Sequence, residues 1–284
     1  MGRHVWDASA AARGVFETAD RVLGYSLSGL CFEGPDDRLR QTEYTQPAIF
    51  ATSLACLAAA VEAGGVVARP AFTAGHSLGE YSALVAAGAL SLDDGLRLLD
   101  TRARLMAEAG RSHPGTLAAI VGMDEEAVRA ICADADVDVC NYNLPNQTVV
   151  GGTRANVGRA IELAKERGAQ RALELNVSGA FHSRLMRPAA DGLAKAVEAA
   201  DVHAPEVPVV ANASAEAMTT ATAIRAELCA QVATAVRWHD SVTLMAATGV
   251  STFIEFGPGR VLTGMVKRLA PDAILVNVSG LQPV

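Results

Sequence analysis

A mixed α/β body interrupted by a smaller β-α-β-β-α-β unit is the fold class this sequence predicts, and three features carry the prediction. A short apolar run, Ala71–Ala74, leads through a glycine-flanked turn into a helical run that ends at Gly88. Between residues 116 and 177 the texture changes to β-like runs at 116–121, 137–142, 147–151 and 171–177, with helical stretches at 124–133 and 154–167 between them. Alternation then resumes, with apolar runs at Val207–Val210 and Thr252–Phe256.

Taken in order, residues 7–24 read as a helix closed by Gly24, and residues 47–63 as a second that opens on Pro47 and stops before Gly64-Gly65. In the second, Leu54, Leu57 and Val61 recur at helical spacing among many alanines, which marks a core helix rather than low complexity. Ser91 is placed to cap a helix from Leu92 to Ala109, stopped by Gly110. The β-α-β-β-α-β order of the middle segment is the ferredoxin-like arrangement. The expected division is therefore a catalytic body of residues 1–112 and 179–284 with a small inserted subdomain at 113–178.

Bulk properties narrow the function classes. The chain has 284 residues, half of them hydrophobic, enough for a sizeable core. A net charge of -7 argues against a protein that coats nucleic acid. Five cysteines, an odd number with no C-x-x-C pair, fit reduced core thiols in a cytoplasmic protein better than disulfides or a zinc site. No charged, apolar leader opens the sequence and no uninterrupted apolar stretch has the length of a membrane span, so neither a membrane nor a metal is an expected partner.

The turn in the first feature is Gly75-His76-Ser77-Leu78-Gly79. G-x-S-x-G between strand and helix is the nucleophile elbow of hydrolase-like parallel sheets, in which the sharp turn leaves no room for a Cβ beside the serine and lifts its hydroxyl above the sheet. The Leu78 amide would then start a helix, where it can donate to a developing oxyanion. Ser77 needs a base, and six histidines compete. His4, His113, His203 and His239 sit in terminal, loop or helix-end contexts, and His76 adjoins Ser77 on a tight turn where neighbours point apart, a position suited to supporting the elbow. His182 stands out at the end of a β-like run, in Gly179-Ala180-Phe181-His182-Ser183, where open α/β sheets display functional side chains. No carboxylate between Ser77 and His182 has a comparable context, so the group orienting the imidazole is open between an acid elsewhere and a backbone carbonyl.

On the Leu92–Ala109 helix, Arg102 falls within the apolar half. A buried guanidinium needs a counter-charge, which leaves two readings: an internal carboxylate, or the carboxylate of a ligand. The second would make the acyl group a dicarboxylic half-thioester.

These residues resemble the malonyl-CoA:acyl-carrier-protein transacylases of fatty-acid synthesis and the related acyltransferase domains of polyketide synthases. Its marks are Thr45-Gln46-Pro47-Ala48, Gly75-His76-Ser77-Leu78-Gly79-Glu80-Tyr81, Arg102 in Thr101-Arg102-Ala103-Arg104, Asn141-Tyr142-Asn143, Gly179-Ala180-Phe181-His182-Ser183 and Glu255-Phe256-Gly257-Pro258-Gly259. The resemblance implies Ser77 as nucleophile, His182 as base, Arg102 as the clamp on the malonyl carboxylate and Leu78 as an oxyanion donor. It implies that the backbone carbonyl of Gln231 orients the histidine and that Gln46 and His76 line the pocket. It implies transfer of malonyl from malonyl-CoA to the phosphopantetheine thiol of an acyl carrier protein, with no cofactor beyond the coenzyme A thioester used as substrate. It also implies a strand and a glycine-glutamine loop ahead of Met1, the glutamine amide being the second oxyanion donor.

Alternatives that keep much of the pattern are a discrete acyltransferase of a polyketide or malonate decarboxylase system, an editing acyl hydrolase in which water takes the acyl group, and an inactive docking subunit. An acidic carrier protein would need a local basic patch, for which Lys165, Arg167, Arg171, Lys267 and Arg268 are candidates.

Overall fold

The computed structural model describes residues 1–65 and 69–279. The chain opens with helices α1 (Arg3–Ala8), α2 (Ala10–Leu23), α3 (Leu27–Glu33), α4 (Asp36–Leu39) and α5 (Thr42–Glu62). The helix expected over 7–24 is two helices, because Ser9 leaves the helical conformation and its side chain accepts from the Ala12 amide as the cap of α2. Gly24 closes α2 in the left-handed conformation, as read from the sequence.

The second helix begins at Thr42 rather than Pro47. Pro47 lies in its second turn, where the missing N–H leaves one backbone carbonyl without its helical donor. The extra turn turns Gln46 inward, where it is almost fully buried. By length and composition α5 could cross a membrane, yet 56% of its most apolar window is buried inside the fold, including Phe50, Ala51, Ala55 and Cys56. It is a core helix here.

Next come α6 (Gly79–Ala86) and α7 (Leu92–Ser112). The expected strand at Ala71–Ala74 is reduced to one parallel bridge, Thr73 to Val209, in which Thr73 donates to the Pro208 carbonyl and accepts from the Val210 amide. Ser91 caps α7 by accepting from the Asp94 amide, and the helix runs through Gly110 to Ser112. Gly110 is retained for packing: a Cβ there would stand 3.0 Å from the Ser178 carbonyl oxygen.

The middle segment contains β1 (Thr116–Val121), α8 (Glu125–Ala135), β2 (Asp138–Leu144), β3 (Gln147–Gly152), α9 (Arg154–Glu166) and β4 (Arg171–Glu174). Its strands form one sheet in the order β2-β3-β1-β4, every neighbouring pair antiparallel. A hydrophobic cluster that includes Ile120, Val128, Ile131, Val150, Val157 and Ala160 packs α8 and α9 against this sheet. β4 stops short of the expected Val177, although Leu175 still donates to the Leu117 carbonyl.

The last part holds α10 (Arg187–Ala199), β5 (Val209–Val210), β6 (Ala217–Met218), α11 (Ala221–Ala230), α12 (Trp238–Ala247), β7 (Thr252–Phe256), α13 (Val261–Leu269) and β8 (Ile274–Val278). β5 and β6 are antiparallel, and β7 and β8 are parallel. Among the described residues, parallel pairing in this part of the chain is confined to β7–β8 and single bridges, less than the parallel sheet expected. The fold is mixed α/β. Its largest core gathers α2, α5, α6, α7, α10 and α11 around Phe16, Phe50, Tyr81, Leu99, Leu193 and Leu228.

The two glycines of the elbow differ. A Cβ on Gly75 would lie 2.0 Å from the Gly79 carbonyl oxygen, whereas a Cβ on Gly79 would meet nothing within 4 Å. The expectation that both lack room is therefore corrected: only Gly75 is sterically required, because the turn folds the start of α6 back onto it. Gly75→Ala is expected to destabilise the protein by about 1–3 kcal/mol, the usual range for overpacking, with Gly79→Ala close to wild type in thermal or denaturant melts. Equal melting of the two variants would contradict this account.

Candidate active site

Ser77 joins the bridge at Thr73 to α6 and has φ 54°, in the left-handed region that a residue with a side chain adopts at a cost of about 1–3 kcal/mol. Two side chains hold it there. The Ser77 N–H donates to Asn212 Oδ1 at 2.6 Å, and its carbonyl accepts from Gln231 Nε2 at 2.8 Å. Asn212 also donates through Nδ2 to the Gly75 carbonyl, so one carboxamide grips the turn on both sides of His76. The Leu78 amide follows at the start of α6 and donates no hydrogen bond among the described residues. It is available to an oxyanion.

His182 lies between β4 and α10, on a loop whose Ser178–Gly179 backbone packs against Gly110. It too is left-handed, with φ 63°, and is buried. Its Nε2 is 2.7 Å from Ser77 Oγ and its Nδ1 is 2.9 Å from the Gln231 carbonyl oxygen. A carbonyl can only accept, so Nδ1 carries the proton and Nε2 presents a lone pair to the serine hydroxyl. Burial, reinforced by the positive charge of Arg102, pulls the His182 pKa down from 6.5 to about 3. The resting imidazole is neutral. This geometry allows Nε2 to remove the Ser77 proton as Oγ attacks an acyl carbon and to return a proton to the leaving group.

Arg102 is 1% exposed on the inner face of α7. Its Nη1 donates to Gln46 Oε1 at 2.5 Å, and its Nη2 donates to Gln231 Oε1 at 2.9 Å and to Ser77 Oγ at 3.0 Å. The guanidinium carbon lies 5.6 Å from the Tyr81 ring centroid. Of the two sequence readings, a directly paired internal carboxylate is not what the structure contains: among the described residues no Asp or Glu lies within ion-pair distance of Arg102, and Glu80 acts on it only from across the Gln231 amide. Its partners are neutral amides, a hydroxyl and a ring, and Nε is buried with no acceptor. A buried cation so placed beside a reactive hydroxyl can receive a ligand carboxylate.

His76 Nε2 donates to Asn143 Oδ1 at 3.0 Å, and its ring tilts against Trp238 at 5.7 Å. It ties the elbow to β2 and makes no contact with Ser77 Oγ. Gln46 touches Arg102 and, at 3.5 Å, Met106 Sδ. The remaining histidines have partners elsewhere: His4 at the Ser279 carbonyl, His203 at Asp201 and His239 at Asp240. His113 is exposed at the end of α7. Among the described residues no group of three or more His, Cys, Asp or Glu is arranged to hold a metal ion.

Three contributors escaped the sequence reading: Asn212, Glu80 and Glu227. The signal for Glu80 was available, since a carboxylate in the otherwise apolar run Gly79–Ala86 raises the same question as Arg102. Asn212 stands just after the apolar run Val207–Val210, at a strand end of the kind that drew attention to His182. For Gln231 the sequence assigned only the backbone carbonyl, and the structure adds the side chain, whose amide touches Arg102, Ser77 and Glu80.

Comparison with known proteins follows the same lines. The family model described as acyl transferase domain matches residues 1–276. A malonyl CoA-acyl carrier protein transacylase of Bacillus subtilis (strain 168) is 45% identical over 274 residues, covering 95% of this chain and 86% of that protein. The crystal structure of an acyl carrier protein S-malonyltransferase from Vibrio cholerae superposes with a TM-score of 0.94 at 41% identity, covering 99% of this chain and 92% of that one. A malonyl-transacylase solved in complex with its type II polyketide acyl-carrier protein gives a TM-score of 0.94 at 39% identity, covering 99% and 91%.

Because burial holds His182 neutral, the pH dependence of the free enzyme has a definite sign. The acid limb of kcat/KM should lie well below the ordinary histidine value of 6.5. The unfolded chain binds this proton near pH 6.5 and the folded one does not until about pH 3, so His182 also makes folding less favourable as pH falls through that window. An acid limb at pH 6.5 or above would contradict the burial argument.

Proposed function

The chain belongs to the acyl transferase domain family, and from that premise we propose that it moves a malonyl group from malonyl-CoA to the phosphopantetheine thiol of an acyl carrier protein through an ester on Ser77. The observation that carries the reading is a buried arginine with no carboxylate partner, 3.0 Å from a serine that is itself hydrogen-bonded to a neutral histidine. A hydrolase for ordinary acyl groups has no use for Arg102. A half-thioester with a free carboxylate supplies the direct ion-pair partner that Arg102 lacks, since Glu80 faces it only across the Gln231 amide.

In the first half-reaction Ser77 Oγ attacks the thioester carbon while its proton passes to His182 Nε2. The thioester carbonyl becomes a tetrahedral oxyanion near the Leu78 amide, and the C–S bond breaks as coenzyme A leaves with a proton from His182. In the second half the carrier thiol gives its proton to Nε2, its sulfur attacks the ester, and His182 reprotonates Ser77 Oγ as the C–O bond breaks. Nδ1 remains bonded to the Gln231 carbonyl throughout, which stabilises the imidazolium formed in each half without an acid. Gln46 and Gln231 fix the guanidinium of Arg102, while His76 braces the elbow from β2. No cofactor enters either step.

The finer architecture belongs to the same proposal: a hydrolase-like body of residues 1–112 and 179–284 with a ferredoxin-like insertion at 113–178. The sheet order β2-β3-β1-β4 and the separate core beneath it support that division. For carrier docking, Lys165, Arg167 and Arg171 on the insertion and Lys267 and Arg268 at the end of α13 are exposed. Arg167 is ion-paired with Asp134, which leaves the other four as better candidates. Fatty-acid and polyketide carriers present the same phosphopantetheine thiol, so the site chemistry serves either.

Incubating the full natural chain with malonyl-CoA is expected to add a malonyl mass to the Ser77 peptide, read by mass spectrometry. Arg102→Ala should lose malonylation by about 10²-fold or more while gaining acylation by acetyl-CoA, since a clamp hydrogen-bonded to charge contributes several kcal/mol. Absence of the adduct, or unchanged malonyl selectivity in the variant, would overturn the reading.

A further inference from the structure

Beneath the elbow lie two carboxyl groups that the reaction as described does not use. Glu80, on α6, is completely buried, and Glu227, on α11, is nearly so. They accept from consecutive backbone amides, Glu80 from that of Asn212 and Glu227 from that of Ala213, which sets the two carboxyls side by side. Two neighbouring carboxylates in a dry site do not both ionise, so the pair retains one proton. Burial drives both groups toward the protonated form, and for Glu80 the charge of Glu227 adds to the effect. The other charged or titratable groups that face the pair are Arg102 from α7 and Tyr81 beside Glu80.

Three of the four carboxyl oxygens accept hydrogen bonds from the reactive side. Glu80 Oε1 accepts from the Asn212 backbone amide at 2.8 Å, and Glu80 Oε2 accepts from Gln231 Nε2 at 2.7 Å. Glu227 Oε1 accepts from the next amide, Ala213, at 2.8 Å. Consecutive amides of one loop are therefore held by two different carboxyls. Asn212 and Gln231 are the two residues that hold the left-handed Ser77 by its N–H and its carbonyl. Gln231 also carries the carbonyl that fixes His182.

Charge explains the orientation of the Gln231 carboxamide. Its oxygen faces the Arg102 cation and its NH2 faces the Glu80 carboxyl, an arrangement that a flipped amide would reverse at both ends. The amide thus lies between a buried positive group and a buried negative one. Resting on the acyl-transfer reading above, we propose that Glu80, backed by Glu227 with one proton retained by the pair, is the positioning residue of this site. It aims Asn212 and Gln231, and through them sets the Ser77 turn, the His182 tautomer and the Arg102 clamp.

The test compares two variants of the full natural chain by the rate of Ser77 malonylation. Glu80→Gln places an NH2 against one of two N–H donors, so it is expected to lower kcat by about 100-fold, the scale of an ångström-sized misplacement, with a much smaller change in KM for malonyl-CoA. Glu227→Gln reproduces the donor and acceptor pattern of a protonated Glu227, and its loss should be at least about tenfold milder. In parallel, the infrared spectrum of the wild type at neutral pH should contain a protonated-carboxyl stretch that Glu227→Gln removes, a reading that survives even if Glu80→Gln fails to fold. A Glu80→Gln enzyme as fast as wild type, equal losses in the two variants, or a wild type without the protonated-carboxyl band would each overturn the proposal. A wild type that forms no malonyl-Ser77 would instead defeat the functional reading beneath it.

Discussion

The hydrogen bond from His182 Nδ1 to the Gln231 carbonyl is the contact on which the site depends. It fixes the imidazole tautomer, and with it the direction in which the serine proton can travel. Because a peptide carbonyl does this work, no third acid is needed beside the histidine. A carbonyl carries no charge, so it stabilises an imidazolium less than a carboxylate would. Burial and Arg102 then keep the resting histidine neutral, the form that can accept a proton.

Placing that carbonyl accurately takes much of the surrounding structure. Gln231 sits in a short turn after α11, and its side chain is locked by Arg102 on one side and by Glu80 and the Ser77 carbonyl on the other. Two left-handed residues, Ser77 and His182, meet at 2.7 Å, and the Ser77 backbone is held in that conformation by Asn212 and Gln231. Arg102 is the second constraint. A buried guanidinium held directly by amides, a hydroxyl and an aromatic ring, with Glu80 only across an amide, lacks an ion-pair partner in contact, and a malonyl carboxylate supplies one where an acetyl group cannot.

Elements with a strong local cause could be read from the sequence. The G-x-S-x-G turn, the four strands and two helices of the middle segment, the Ser91 cap and the inward face of Arg102 all follow from spacing and turn chemistry, and they stand within a few residues of expectation. What could not be read arises from contacts distant in sequence. Pro47 sits inside α5, beside a buried Gln46 that bonds to Arg102, 56 positions away, and the strand at 71–74 is a bridge whose hydrogen bonds run to Pro208 and Val210. Gly79 looked as constrained as Gly75 although only one of them has a neighbour in the way. Asn212 lies 135 positions from the serine it holds, a relation that no local pattern expresses. Glu80 was visible within the quoted motif, but its purpose depends on Glu227 and Gln231, which are brought to it by α11.

The most direct examination of this arrangement is nitrogen NMR of the protein labelled in its histidine rings, observing His182 at neutral pH. A protonated Nδ1 with an unprotonated, lone-pair-bearing Nε2 would establish that the Gln231 carbonyl sets the direction of proton transfer. A proton on Nε2, or an imidazolium at rest, would mean that Ser77 faces no base and that the carbonyl does not govern the site.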